Sequence, residues 1–369
     1  MGGHLLVALS AHGYGHAAMT APVVRALRRR HPDLTVSVKS AIDPAWMRGC
    51  YGGETALWPE TAGDTADFGL VMRSILEVDV AASHQRYRRL HSSLAATVTT
   101  LARRLREQRV DLLLSNVSYV ALLAAREAGI PAYAMSCLNW QDLYGHFCGA
   151  LEGADGILAE IHAGYASARA FLRPSPAMPM PGLSNLRPIG PLARQGRADP
   201  DRLRVLIGAA PHEKVGLIAF GGMAYPLDYS RFPRLPGWKW VLAGDPCGHP
   251  DLIDRETVPL SFGDLLASAD VILGKPGYGT FTEAAVNGVP MLYIPRPDWP
   301  EAPYMIKWLR DNGRCLEIQG ADLFVAARLE LQLQKLFSLP VKALPVPSGI
   351  DDAAALLEAA LPAPWCRQA

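Results

Sequence analysis

The sequence predicts an α/β protein made of two Rossmann-like, doubly wound parallel-sheet domains, and three observations carry that expectation. Short apolar strands alternate with helical stretches in both halves of the chain. Between the halves, residues 173–200 (RPSPAMPMPGLSNLRPIGPLARQGRADP) turn rich in proline and glycine, the composition of an interdomain linker. Each half also carries a glycine-rich turn between a strand and a helix, at residues 10–16 and 274–279. Open α/β sheets bind ligands at that end of their strands.

In the first half, residues 5–10 read as a buried strand. Residues 17–30 follow with Met19, Val23, Val24 and Leu27 on one helical face. A strand at 34–38 precedes one long, arginine-rich amphipathic helix over 84–109. A strand at 111–115, a helix at 120–128 stopped by Gly129, and a strand at 131–136 complete the set. In the second half, residues 215–220 form a strand ending in Gly221-Gly222, and 239–243 form another. Residues 271–273 run as a strand into the turn Gly274-Lys275-Pro276-Gly277-Tyr278-Gly279. A helix opens at Thr280 and stops at Asn287-Gly288, and a strand follows at 289–294. Helices are expected at 323–337 and 350–361. The predicted organisation is an N-terminal domain over 1–188 and a C-terminal one over 189–345. Residues 346–369 form a last helix and tail that pack back on the N-terminal domain.

Bulk properties narrow the function. At 369 residues each half can bury its own core. A formal net charge of +1 gives no general attraction to nucleic acid. The six cysteines (Cys50, Cys137, Cys148, Cys247, Cys315 and Cys366) lack the spacing of a disulfide framework or a zinc site. The first residues have no basic leader, and no apolar run approaches the roughly 20 residues of a spanning helix. A cytoplasmic protein is expected. The arginine-rich stretches 25–30, 86–91 and 102–109 read as solvated helix faces, with a membrane-surface patch for a lipid acceptor as the alternative.

The two turns carry the chemistry. Glycines at 274–279 let a ligand approach the backbone, and the free amides opening the next helix suit a phosphate. Glu283, one turn into that helix, is placed to accept both hydroxyls of a ribose; alone it reads equally as an acid complementing the helix dipole. Lys275 is a phosphate counter-charge or a solvated lysine, and Phe262 a base contact or a core residue. The turn Ser10-Ala11-His12-Gly13-Tyr14-Gly15-His16 offers two imidazoles beside Gly13 and Gly15. Histidine can take a proton from a hydroxyl near neutral pH, and a helix start favours the neutral, basic form of His16. His12 and His16 as a metal pair lack a convergent acid, so no metal site is expected. Asn116 and Ser118, and then Asn139-Trp140-Gln141-Asp142, follow strands and lie on the ligand side. Trp140 there either packs or stacks on a sugar. Asp67, Arg73 and Asp79 fall in a polar insertion that reads as solvated surface.

Together these residues resemble the GT-B glycosyltransferases, broadly the peptidoglycan N-acetylglucosaminyltransferase group. The more specific resemblance is to the glycosyltransferase-like N-terminal region of plant L-arabinokinases and its bacterial relatives. It rests on HGYGHA (12–17), DLLLSNVSYVA (111–121), AGIPAYAMSCLNWQDLY (128–144) and LGKPGYGTFTEA (273–284) and spans most of residues 4–320. The resemblance implies two Rossmann-like domains facing across a cleft, with a nucleotide-diphosphate sugar as donor substrate, uridine by default, and no further cofactor. It assigns Gly221 and Gly222 to the diphosphate and 260–262, including Phe262, to the base. Gly277, Tyr278, Gly279 and Thr280 fall at the phosphates, Glu283 at the ribose, and His16 at the catalytic base or diphosphate. Asp298-Trp299-Pro300-Glu301 falls where many relatives carry an Asp-Gln pair for the donor sugar, so Asp298 and Glu301 are the sugar candidates. The expected reaction is metal-independent transfer to the hydroxyl of a small-molecule or lipid-linked acceptor. A nucleotide-sugar hydrolase, a 2-epimerase and a non-catalytic binding module stay open beside it, as does the oligomeric state.

Overall fold

A computed structural model of the chain describes residues 3–58, 68–74, 77–220 and 228–361. The chain divides into two compact units. The first runs to Gly190 and resumes at Ser348, and the second is Pro191–Pro347.

The first unit opens with β1 (His4–Leu9), α1 (Gly15–Arg30), β2 (Thr35–Lys39), α2 (Pro44–Tyr51) and β3 (Ala56–Leu57). It continues with α3 (Val80–His91), α4 (Leu94–Glu107), β4 (Leu112–Asn116), α5 (Tyr119–Ala128) and β5 (Ala132–Met135). Then come α6 (Trp140–Cys148), α7 (Ala154–Ala166), β6 (Ala170–Pro174) and β7 (Leu186–Ile189). The sheet order is β3-β2-β1-β4-β5-β6-β7, parallel throughout. The second unit contains α8 (Pro200–Leu206), β8 (Lys214–Ala219), β9 (Trp238–Leu242), β10 (Leu252–Asp254) and α9 (Phe262–Ser268). Beyond them lie β11 (Val271–Gly274), α10 (Tyr278–Val286), β12 (Met291–Tyr293), α11 (Ala302–Asn312), β13 (Cys315–Glu317) and α12 (Ala326–Ser338). Its sheet order is β10-β9-β8-β11-β12-β13, again all parallel. In order of appearance this is 3-2-1-4-5-6, and the first sheet repeats it with β7 added at one edge. The doubly wound Rossmann topology is therefore present twice. Helices cover both faces of such sheets, so their strands are apolar runs rather than alternating ones. Leu5 to Ala8, Leu112 to Leu114, Val271 to Leu273 and Met291 to Tyr293 are fully buried accordingly.

Two sequence expectations need correction. The stretch 84–109 is two helices, broken at Ser92-Ser93. Both hydroxyls there bond the preceding turn, Ser92 Oγ to the Arg89 carbonyl (2.8 Å) and Ser93 Oγ to that of Leu90 (3.4 Å). This local alternative to the helix ladder is why serine interrupts helices. After the break, Leu94, Val98, Leu101 and Leu105 set a new buried face. The proline-rich segment is more than a linker, since it supplies the end of β6 and all of β7. Pro188 lies in the edge strand β7, the place in a sheet where a missing N–H is tolerated.

The last helix, α13 (Gly349–Glu358), belongs to the first unit and packs on α1. Ala353, Ala354 and Leu357 are its buried face. At the basic end of α1, Arg30 reaches Glu358 (3.0 Å) and Asp351 (3.1 Å), and His31 Nε2 meets Glu358 (2.7 Å). Among the described residues, no helix is long and apolar enough to cross a membrane.

Candidate functional site

Strand order reverses between β1 and β4 in the first sheet and between β8 and β11 in the second. The carboxyl ends of strands flanking such a point form the ligand crevice of this topology. Both glycine turns begin there.

In the first unit, α1 starts directly after the turn. Among the described residues, no side chain caps its start, and its first turn holds no acid. His16, its second residue, is only 8 % exposed, and its Nδ1 lies 2.7 Å from Asn116 Oδ1 at the end of β4. With the amide oxygen accepting, Nδ1 carries the proton and Nε2 keeps the lone pair. Burial lowers the His16 pKa below the ordinary histidine value, and the Asn116 bond offsets part of that. The ring is thus neutral at pH 7. Trp140 braces the loop from behind. Its centroid lies 5.9 Å from that of His16 and 5.1 Å from that of His12, and its Nε1 donates to Ser10 Oγ (2.9 Å). Leu70 N–H donates to His12 Nδ1 across a long 3.4 Å, which favours the opposite tautomer there. Between the two candidates, His16 has the freer lone pair for proton transfer. A Cβ at Gly13 or Gly15 would meet no atom within 4 Å among the described residues, so packing does not demand glycine at either position.

In the second unit, β11 passes through Gly274 into the turn. Gly274 is required by the sheet itself, because a Cβ there would sit 2.5 Å from the Ala219 carbonyl oxygen on β8. Gly277 and Gly279 are not so constrained: a Cβ at 277 would come no closer than 3.8 Å to another residue, and one at 279 would meet nothing within 4 Å among the described residues. Gly277 is the N-cap of α10. Among the described residues, the start of that helix has neither a side-chain cap nor an acid in its first turn. The amides of Gly279 and Thr280 therefore lack an intrahelical acceptor and stand at a positive helix end. Tyr278 turns inward, where its hydroxyl takes the Leu192 N–H (2.8 Å). Glu283 lies one turn below Gly279. Burial raises its pKa to about 7, with nearby Arg194 opposing the shift. Lys275 is half-buried, and its pKa falls to about 8 through burial and then the nearby Arg296 charge, while Glu301 counteracts.

The other candidates divide. Phe262 opens α9 half-buried behind the cap Ser261, whose Oγ bonds Asp264 N (3.2 Å). Asp298 is exposed, whereas Glu301 is 7 % exposed and takes the Trp299 Nε1–H (3.1 Å). Asn139 and Trp140 are buried. Asn139 caps α6 through Asp142 N (2.8 Å), so both act on the loop from within the fold. Ser118 caps α5 through Ala121 N (3.0 Å). Arg73 pairs with Asp79 (3.1 Å) and Glu77 (3.3 Å) at the surface. Gly221, Gly222 and Asp67 lie outside the described residues. Sequence reasoning missed Arg296, a buried arginine on the segment leaving β12. It missed too that Asn116 holds His16, although the end of β4 had marked Asn116 as ligand-facing.

The fold is that of the GT-B glycosyltransferases. It is shared at TM-score 0.61 with the glycotransferase of kitacinnamycin, 20 % identical, over 98 % of this chain and 100 % of that one. MurG of Acinetobacter baumannii matches at 0.57 and 14 % identity, over 97 % and 99 %. Medicago truncatula UGT71G1, solved with UDP-glucose, matches at 0.56 and 13 %, over 96 % and 94 %. In sequence, the chain is 25 % identical over 337 residues to the L-arabinokinase of Arabidopsis thaliana, covering 87 % of this chain and 31 % of that protein. The chain thus spans about a third of that relative's length. No family model matches the sequence.

Proposed function

We propose that the protein is a glycosyltransferase that moves a sugar from a nucleotide-diphosphate sugar, uridine by default, to an acceptor hydroxyl without a metal. The carrying observation is the contrast in equipment at two equivalent switch points of one GT-B chain. One holds a buried neutral imidazole with an available lone pair. The other holds an uncapped helix start above a half-buried carboxyl. UDP-glucose in the Medicago structure of the same fold supports the donor class.

In this reading the amides of residues 278–280 and Lys275 take the diphosphate, Glu283 takes the ribose hydroxyls, and the segment from Asp298 to Glu301 borders the sugar. The acceptor oxygen attacks the anomeric carbon while the bond from that carbon to the phosphate oxygen breaks. His16 Nε2 receives the acceptor's proton, and the nucleoside diphosphate leaves with the bonding electrons. The helix-start dipoles and Lys275 hold the charge that develops on it, which is why the reading needs no metal. Binding without transfer is the second reading, favoured by the likeness to about a third of a protein named as a kinase.

Release of nucleoside diphosphate from a panel of nucleotide sugars, with and without candidate acceptors, tests these readings. Acceptor-dependent release supports transfer. Release without acceptor points to hydrolysis, and tight binding without release to a binding module.

A further inference from the structure

Arg296 is a buried charged group in the second unit that the proposed mechanism does not use. It is 7 % exposed, and its Nε and Nη2 are buried with no hydrogen-bond partner among the described residues. Each unpartnered buried donor of a charged group costs free energy, and natural folds keep very few. Glu301 lies close enough to favour the charged guanidinium but bonds neither atom. Trp299 covers one face of the group, with the guanidinium carbon 3.9 Å from the ring centroid. Stacking closes that face, and the edge is enclosed as well but left without a hydrogen bond among the described residues. Nε–H and the neighbouring Nη2–H share one edge of the plane, and together they form the side-on fork that matches two oxygens of one planar anion.

The fold fixes where this fork lies. Ile294 N–H donates to the Gly274 carbonyl (2.9 Å), so β11 and β12 remain paired at their carboxyl ends. Lys275 and Arg296 leave these adjacent strands, which are about 4.8 Å apart, on the side where α10 begins. Lys275, Arg296 and Glu301 together carry one net positive charge. Arg296 also lines a cavity of about 560 Å³ with Pro295, Pro297 and residues of α11, a wall that includes neither Lys275 nor Glu301. Other charges on its wall are already engaged, Lys307 with Asp311 (2.6 Å) and Arg310 with the Tyr293 hydroxyl (2.9 Å).

We propose that Arg296 reads a carboxylate on the donor sugar, so that the donor is a nucleotide-diphosphate uronic acid. This rests on the nucleotide-sugar reading above. The phosphates already have the start of α10 and Lys275. What Arg296 adds is a planar, monovalent, two-pronged complement one strand further out, where the group attached to the diphosphate would lie.

Titration calorimetry on the intact protein tests this. The nucleoside diphosphate that binds best among UDP, dTDP, GDP and ADP is compared with its glucose and glucuronic acid conjugates. The glucuronic acid conjugate is expected to bind about ten- to a hundredfold more tightly than the glucose one, the range of charged hydrogen bonds. Arg296→Met should erase that preference and leave the parent diphosphate within about twofold. Arg296→Lys keeps the charge without the fork, so it should erase most of the preference as well, and it carries the test should the Met variant not fold. Equal affinity for both conjugates in the parent protein overturns the proposal, and so does a preference that survives both substitutions. An equal loss for all three ligands assigns Arg296 to the diphosphate and overturns it too. Failure of every diphosphate to bind overturns the donor reading itself.

Discussion

The two glycine turns occupy the same place in two sheets of the same topology, yet they are built in opposite ways. The first is braced. His16 is held by Asn116 and Ser10 is tied to Trp140, so side chains of the loop are bonded by residues outside it. The second is bare. Glu283 and Lys275 are half-buried without a hydrogen bond to their charged groups, and Arg296 has two donors without a partner, all among the described residues. A group that must move one proton benefits from a fixed tautomer and orientation, which internal hydrogen bonds supply. Groups that must grip an anionic ligand lose affinity if the protein has already satisfied them. On the proposed function, the difference is one between preorganised chemistry and preorganised binding.

The largest test of that division is His16→Ala. Sugar transfer should fall about 10²- to 10⁴-fold, the usual scale of a general base. Nucleoside diphosphate affinity should hold within about twofold by calorimetry, and a matching loss of affinity would erase the division. Next in size is Asn116→Ala, which leaves His16 buried without its orienting acceptor. Turnover should drop roughly tenfold. Burial lowers the His16 pKa and the Asn116 bond raises it, so removing the bond should move the acidic limb of the kcat/KM profile to lower pH.

Glu283→Gln sharpens the comparison from the other side. Nucleotide affinity should weaken about tenfold while a 2′,3′-dideoxy analogue loses little. The folded pKa of Glu283 lies near 7, above its ordinary 4.5, so ionisation costs the folded state stability as pH rises between those values. The Gln variant should therefore melt at a higher temperature than the parent at pH 8. The same groups set the pH dependence of binding. Below about 7 Glu283 is protonated, and above about 8 Lys275 loses its charge. Affinity for the nucleoside diphosphate should rise from pH 6 to 7 and fall from pH 8 to 9, with Glu283→Gln removing the lower limb. A flat profile would mean that neither group meets the ligand. Smallest is Gly279→Ala. The protein should melt at the same temperature or a few degrees higher, since alanine suits a helix and meets nothing, while nucleotide affinity falls several-fold.

Both turns were legible in the sequence because glycine and histidine between an apolar strand and a helical pattern leave a local signature. The two sheets were legible for the same reason, as runs such as 111–115 and 271–273 are short, apolar and bounded. What stayed hidden depends on distant partners. Nothing local to Arg296 announces burial; it takes the pairing of β11 with β12 and the placement of Trp299 to enclose it. Asn116 could be assigned to the ligand-facing end of a strand, but its bond to His16 spans a hundred residues of chain. The break at Ser92-Ser93 was obscured because arginines on either side continue the same polar pattern. Pro188 argued for a linker, and only an edge position in the sheet makes it a strand residue.

The return of α13 to the first unit has a mechanical consequence. Gly190 and Ser348, the two points where the chain leaves and re-enters that unit, touch so closely that a Cβ at Gly190 would lie 2.1 Å from Ser348 Oγ. Residues 191–347 are thus a loop threaded out of, and back into, one small spot. Tension applied between His4 and Leu361 in an optical trap would load α13 against α1 first. The loop would feel no stretch until that helix had peeled away, so the first rip should release the C-terminal helix and the second unit should open only afterwards.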